Sequence, residues 1–390
     1  MEYQPEDVSK VLDRVEQISQ TLIPANNYLQ DLIKTYSSNF PVKKAKAIIK
    51  SHGNGLHIIL TGFTGYLGYY LLKALIADIK VVRIVCFNLW EAEKDFIAEF
   101  GDLDGAQKVQ FVKTSFGDPR FSLEPAIYQK FLETIYVILH NVWSVDFNLP
   151  IESFEKVHIA GVRNFIDWPL LSPRKVTIQF MISEQIFTDV NLPMLGYGHS
   201  KFIAENILNN AAEEHGISVD VLRCGQIGGP SSDGKKQRNA RDWFTILLQT
   251  SKALGLIPSD LRAQDLVQWI PADSVSQIIV ELMNGSDTRE GLTIFNLINP
   301  KIVKWSNLVP GVKQILGVAK EVSLQNWLRE LKKHDATSRD EVKKFPALKL
   351  LGFFEWVSNE ERLVMITENA QAASPSFGGL SPIDDEMIGR

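Results

Sequence analysis

The chain has 390 residues, a formal net charge of −5, and 45% hydrophobic against 22% charged residues. That is an ordinary globular composition, long enough for two lobes, and it lacks the basic excess that nucleic-acid binding needs. No apolar run approaches the ~20 residues of a membrane span, and the acidic, polar stretch 1–7 is unlike a signal peptide.

Residues 7–23 place Val8, Val11, Leu12, Val15, Ile18 and Leu22 at helical spacing, and Tyr28, Leu29, Leu32, Ile33 and Tyr36 form a second helical pattern. Pro41, Lys43, Lys44, Lys46, Lys50 and Gly53-Asn54-Gly55 then read as a solvated linker. From Leu56, strand-like runs at 56–60, 81–87, 109–113, 135–140, 176–182 and 217–223 alternate with helical patterns at 67–77, 151–167 and 200–215. Short apolar strands between helices predict an α/β fold, a Rossmann-like doubly wound parallel sheet that binds ligands at its carboxyl edge. Cys86 and Cys224, the only cysteines, sit in apolar runs; buried reduced thiols and a cytoplasmic setting are expected.

After Pro230 a polar loop leads into helical patterns at 241–253, 273–284, 305–316 and 323–333, with 293–297 as one more strand. The tail from Ala370 reads as small and polar, with helix signals only near its end. The expected division is a helical lead-in and linker over 1–50, a Rossmann ligand-binding domain over 51–300, and a mostly helical C-terminal substrate domain over 301–390. Residues 231–264 are expected to contribute to the substrate lobe.

The first strand runs straight into Thr61-Gly62-Phe63-Thr64-Gly65-Tyr66-Leu67-Gly68. Glycines at such a turn let the backbone approach a pyrophosphate, whose charge then sits at a helix N-terminus. Tyr197 and Lys201, at i and i+4, share one helix face. A phenol titrates near ~10 and needs a neighbouring cation to come closer to neutrality, which Lys201 would supply while holding a nicotinamide ribose. Ser183 closes the apolar run 176–182, where a hydroxyl at a strand's carboxyl end can bind a carbonyl oxygen. The expected catalytic set is Ser183 orienting, Tyr197 donating a proton and Lys201 tuning. His140, at the end of a buried strand, is expected to be structural. Asn141 lies at that strand end and Gly225, Gln226 and Ile227 at another, where both groups would line the cofactor. No CxxC, HExxH or GxSxG occurs, so metal and acyl-serine chemistry has no support.

With these residues in view, the chain resembles the terminal thioester reductase domains of nonribosomal peptide synthetases and fungal adenylate-forming carboxylic acid reductases, members of the extended short-chain dehydrogenase/reductase superfamily. The resemblance covers about residue 29 to the C-terminus. It rests on 61–68, 140–148 with Ser153-Phe154-Glu155, 158–167, 197–201, 223–230, 267–273 and 346–351. It implies NADPH-dependent reduction of an acyl thioester on the phosphopantetheine arm of an acyl carrier protein, acting in cis or in trans, with release of an aldehyde or, after a second reduction, an alcohol. It further implies cofactor contacts from Gly62, Thr64, Gly65, Tyr66, Leu67, Gly68, Asn88, Asn141, Val142, Tyr197, Lys201, Gly225, Gln226 and Ile227, no metal, no nucleic acid or membrane partner, and a monomer. The chain departs from the family pattern at Leu89, where an Arg for the NADP 2′-phosphate often stands, at Ser115, where an Asp is frequent, and at Ile182, where many members carry a second Ser. NADH therefore stays open beside NADPH. Two alternatives remain: an enzyme of the same superfamily acting on a free carbonyl or a sugar nucleotide, and a catalytically silent cofactor-binding scaffold.

Overall fold

Alternation along the first strand builds two apolar layers at once. In β1 (Leu56–Thr61), Ile58 and Leu60 enter one core while Ile59 enters the other, as side chains on successive strand residues must. The computed structural model describes residues 27–43, 55–89, 93–146, 149–183, 196–231, 242–359 and 365–389; the expected helix over 7–23 and most of the lysine-rich linker lie outside the described residues.

The strands that follow are β2 (Val81–Asn88), β3 (Val109–Lys113), β4 (Val137–His140), β5 (Thr177–Ser183) and β6 (Ser218–Cys224). Then come the short β7 (Ile227–Gly228), β8 (Leu256–Pro258), β9 (Leu266–Val267) and β10 (Ile270–Pro271), and after them β11 (Leu292–Leu297), β12 (Val303–Lys304) and β13 (Lys320–Val322). Seven of them form one sheet in the order β11-β6-β5-β4-β1-β2-β3. Every pairing in it is parallel. The chain moves outward from β1 to β3 and then returns to the other side of β1 as β4. That reversal opens a crevice at the carboxyl ends of β1 and β4, where Thr61 and His140 are in register.

The helices are α1 (27–36), α2 (Tyr66–Ala77), α3 (Glu93–Phe100), α4 (Pro125–Thr134), α5 (Glu152–Phe154), α6 (Ala160–Leu171), α7 (Gly196–His215), α8 (Trp243–Leu254) and α9 (Ala272–Asn284). A π turn, Glu155–Ile159, joins α5 to α6. α2 and α9 cover one face of the sheet, and α1, α4, α6 and α7 contribute to the core on the other. α1 is fastened by the Tyr28 and Tyr36 hydroxyls, which both donate to the Glu155 carboxylate at 3.2 Å. Lys43 Nζ donates to the carbonyls of His215 (2.7 Å) and Gly216 (2.8 Å). α6 runs past the expected end at 167 because Pro169 falls within its last turn, where only one helical hydrogen bond is forgone.

Beyond these lie α10 (Trp305–Leu316), α11 (Leu324–Leu331), α12 (Arg339–Lys344), α13 (Leu351–Asn359), α14 (Glu368–Ala373), α15 (Pro375–Gly378) and α16 (Asp385–Gly389). Trp243, Phe244, Trp269, Trp305, Trp327 and Phe354 anchor a third apolar core, built from segments on both sides of residue 300. The tail differs from its polar reading. Ala370, Phe377 and Leu380 are buried in the α2/α9 core, and Glu281 of α9 accepts hydrogen bonds from Ser374 Oγ (2.6 Å) and Ser376 N (3.1 Å). Small residues there serve close packing rather than solvation.

One turn is held against backbone preference. Arg120, Phe121 and Ser122 have φ of 54°, 58° and 57°, a left-handed run that costs about 1–2 kcal/mol per residue. It drives the Phe121 ring into the core, 4.5 Å from Phe165 and 5.6 Å from Phe87. Burial of a full phenyl group outweighs such a penalty.

Candidate active site

The turn after β1 is one that its glycines permit. Gly62 has φ +72°, and a Cβ on it would lie 2.8 Å from Val142 N. A Cβ on Gly68 would lie 2.0 Å from the Gly62 carbonyl oxygen. Gly65 is different: it is exposed, and a Cβ there meets only Gly62 O, at 3.3 Å. α2 begins immediately after it with no acidic residue in its first turn, so no carboxylate of its own competes for the positive end of the helix dipole. Thr64 is exposed beside Gly65, whereas Leu67 and Gly68 face inward and shape the turn. The Tyr66 hydroxyl donates to Gly228 O at 3.0 Å and ties the turn to β7. An exposed, glycine-lined helix start at the sheet's reversal point fits the phosphates of a dinucleotide.

Thr61 is the hub beneath the turn. Its Oγ1 accepts from the backbone N–H groups of Asn141 (3.0 Å) and Val142 (3.1 Å) and lies 3.0 Å from His140 Nδ1. Asn141 Nδ2 donates to Gly62 O at 3.3 Å. Asn141 and Val142 therefore flank the turn, with these groups committed to holding it. His140 is 3% exposed, and burial, with Lys201 and His158 adding to it, holds its imidazole well below the usual histidine range. It is structural.

α7 carries Tyr197 and Lys201. Tyr197 is half-buried beside the Phe154 ring, 6.4 Å away. The expected lowering of its phenol by Lys201 does not appear; burial pushes it up to about 12. Lys201 is 3% exposed, and its Nζ donates to Met181 O of β5 at 2.7 Å while sitting over the rings of Trp143 (4.0 Å) and Phe180 (4.7 Å). Burial holds that amine well below its ordinary value. Ser183 is the last residue of β5, level with Cys224 in β6; its side chain, like residues 184–195, lies outside the described residues.

The remaining expected residues occupy the same carboxyl edge. Asn88 ends β2, buried, and its carbonyl accepts from Thr114 N (2.7 Å) and Oγ1 (3.3 Å). Gly225 N donates to Leu297 O at 3.0 Å, and Ile227 pairs with Ile270. The Gln226 side chain is committed within the protein: Nε2 donates to Asp242 Oδ1 (2.9 Å) and Oε1 accepts from Trp243 Nε1 (2.6 Å), bracing the β6 end against the third core. Trp143, Ser200 and His158 lie in the segments of resemblance, but the sequence reading assigns them no role. Their contacts join residues 14 to 58 apart in the chain, and no local spacing announces them.

Comparison with known proteins agrees with this geometry. Residues 60–190 and 180–279 match the NAD-binding family described as Male sterility protein. A carboxylic acid reductase of Neurospora crassa is 29% identical over 355 residues, 85% of this chain and 33% of the relative; the chain thus spans about a third of the length of the curated relatives it matches. Among solved structures, the terminal R domain from the myxalamid PKS-NRPS biosynthetic pathway aligns with a TM-score of 0.74 at 23% identity, over 92% of this chain and 95% of that one. A thiolation-reductase di-domain from an archaeal nonribosomal peptide synthetase aligns with a TM-score of 0.64 at 18% identity, over 94% and 78%. These two likenesses show the shared fold. With its matched segments, its parallel sheet and its glycine turn, the chain belongs to the NAD-binding Male sterility protein family.

Proposed function

We propose that the chain reduces an acyl thioester carried on the phosphopantetheine arm of a carrier protein and releases an aldehyde, with NADPH as the preferred reductant. The observation that carries this reading is the bond from Lys201 Nζ to Met181 O. It draws the helix bearing Tyr197 and Lys201 onto the end of β5, two residues before Ser183, at the same sheet edge as the glycine turn. The segments of resemblance at 140–167 and 267–273, and relatives named carboxylic acid reductase, support a carrier-bound acyl substrate over a sugar nucleotide.

A reduced nicotinamide, when bound, supplies the hydride that the carbonyl carbon accepts. Tyr197 gives its proton to the carbonyl oxygen; with its phenol pushed up to about 12, it is fully protonated at neutral pH. Ser183 orients that oxygen by donating to it, and Lys201 holds a ribose and resupplies the proton. The thiohemiacetal so formed loses its hydroxyl proton, the C–S bond breaks, and aldehyde and free thiol leave. Asn88 is neutral where an acidic residue would favour NAD, so the end of β2 sets no negative charge against a 2′-phosphate. Residues 301–390, with 231–264, are proposed as the substrate lobe, and the cytoplasm as the setting, consistent with buried cysteines. Among the described residues no helix is long and apolar enough to cross a membrane.

The test is mass spectrometry of stopped reactions over a panel of acyl-pantetheine thioesters with NADPH and with NADH. Aldehyde and free thiol in equal amounts, faster with NADPH, are expected. Turnover of free carbonyls with none on any thioester would overturn the proposal.

A further inference from the structure

Trp143 stands in the loop after β4, outside the expected catalytic set, yet the first turn of α7 converges on it. Lys201 Nζ lies 4.0 Å from the centroid of its ring. Its Nε1 donates to Ser200 Oγ at 3.0 Å, and Ser200 Oγ donates to the Tyr197 carbonyl at 2.7 Å. The indole is itself fixed from behind the loop. It stacks on the His158 ring at 4.7 Å and 29°, and His158 Nε2 accepts the backbone N–H of Ser144, the next residue, at 3.2 Å. His158 lies in the π turn Glu155–Ile159, a local widening of the helix that recurs at functional sites.

We propose that Trp143 is a positioning residue for the proton-transfer pair: its ring face holds the Lys201 ammonium, and its N–H, through Ser200, fixes the turn on which Tyr197 stands. This rests on the reading above that Tyr197 and Lys201 act on the substrate. The physical need is plain. A buried amine loses its proton unless something favours the cation, and among the described residues no carboxylate pairs with Lys201. Among the described residues the groups facing it are the Trp143 and Phe180 rings and the Met181 carbonyl, and the nearby imidazoles of His140 and His158, held neutral by burial, supply no counter-charge. Indole is the strongest of the aromatic partners for a desolvated cation.

Three variants separate the two halves of the role. Trp143→Leu removes both ring and N–H, Trp143→Phe keeps a ring face and loses the N–H, and Ser200→Ala breaks only the bridge. The first readout is a carbon-13 NMR titration of the Lys201 side chain, assigned with Lys201→Arg. Trp143→Leu should move its midpoint down by about one pH unit, while Ser200→Ala leaves it in place and Trp143→Phe stays closer to wild type than the leucine variant. The second readout is steady-state kinetics. Trp143→Phe and Ser200→Ala should both lower kcat about tenfold with KM little changed. A folded Trp143→Leu protein with an unmoved Lys201 midpoint would overturn the proposal. So would unchanged kcat in Trp143→Phe and Ser200→Ala, which decides the matter if the leucine variant does not fold. The titration needs no substrate, so a wild-type chain inactive on every thioester would sink the proposed reaction and leave the result for the Lys201 charge standing.

Discussion

Thr61 and His140 share one hydrogen bond across the two central strands, and it fixes the histidine's tautomer. A hydroxyl has two lone pairs and one hydrogen. The N–H groups of Asn141 and Val142 take both lone pairs of Thr61 Oγ1, so its hydrogen points to His140 Nδ1, 3.0 Å away. His140 therefore carries its own proton on Nε2, which among the described residues has no hydrogen-bond partner and lies buried amid the rings of Phe165, Phe180, Phe116 and Trp143. A neutral, fixed imidazole of this kind braces the crevice floor and has no open nitrogen with which to act as a base.

Thr61→Val keeps the shape and removes the hydroxyl. Two backbone donors and an imidazole nitrogen lose their partner, so stability should fall by about 2–3 kcal/mol in urea unfolding, with Thr61→Ser close to wild type. A Thr61→Val protein within about 0.5 kcal/mol of wild type would show that water replaces the hydroxyl there.

The glycines of the turn should divide into two kinds. Gly62→Ala and Gly68→Ala set a Cβ against backbone at 2.8 Å and 2.0 Å, and both proteins should be markedly destabilised in thermal melts. Gly65→Ala meets only an oxygen at 3.3 Å and should fold normally while binding NADPH at least ~10-fold more weakly, a loss of about 1.4 kcal/mol by calorimetry. Equal NADPH affinity in wild type and Gly65→Ala would remove the phosphates from that helix end.

Buried histidines predict an acid limit to stability. His158 is lowered to about 4 and His140 falls well below its usual range, both chiefly by burial. The unfolded chain takes up these protons near pH ~6.5 and the folded chain does so only at lower pH. Stability is therefore full above pH ~6.5 and is lost as pH falls toward 4, at up to about 1.4 kcal/mol per pH unit for each histidine. Denaturation midpoints measured across this window should fall, and a flat profile would place both side chains in water.

Arg120→Gly should raise stability by roughly 0.5–1 kcal/mol, because glycine takes its φ of 54° without strain. Phe121→Ala should lose about 3–5 kcal/mol, since the ring that the strained turn inserts is fully buried. Chemical denaturation of the pair decides whether strain there is offset by packing.

Much of this architecture is written in local pattern. All seven strands of the main sheet fall within two residues of the expected runs, because strands buried on both faces read as short, continuous apolar segments. The glycine turn and the Tyr197/Lys201 pair were also legible, since spacing alone puts them on a strand-to-helix turn and on one helix face. What spacing cannot carry is contact between distant segments. The indole of Trp143 reaches Ser200, and the Gln226 amide reaches Asp242; nothing near those residues in sequence marks it. The two- and three-residue strands β7 to β10 are too short to leave a period, and Phe377 was hidden in a tail whose small residues mimic a solvated end.

Tyr197→Phe should reduce hydride transfer by about 100-fold or more while leaving NADPH binding intact. With the phenol near 12, its donor form persists through pH 10. Lys201, whose amine burial holds below its usual range, is then the expected source of an alkaline fall below that pH, and the residual rate of Tyr197→Phe should keep it.

Deuterium transfer tests the proposed chemistry most directly. With NADPH deuterated at the transferable C4 position and an acyl-pantetheine thioester, mass spectrometry of the first-formed aldehyde should show one deuterium at the former thioester carbon, released with one equivalent of free thiol, and Tyr197→Phe should slow its appearance about 100-fold. Thiol released without deuterated aldehyde, or a Tyr197→Phe rate equal to wild type, would contradict it.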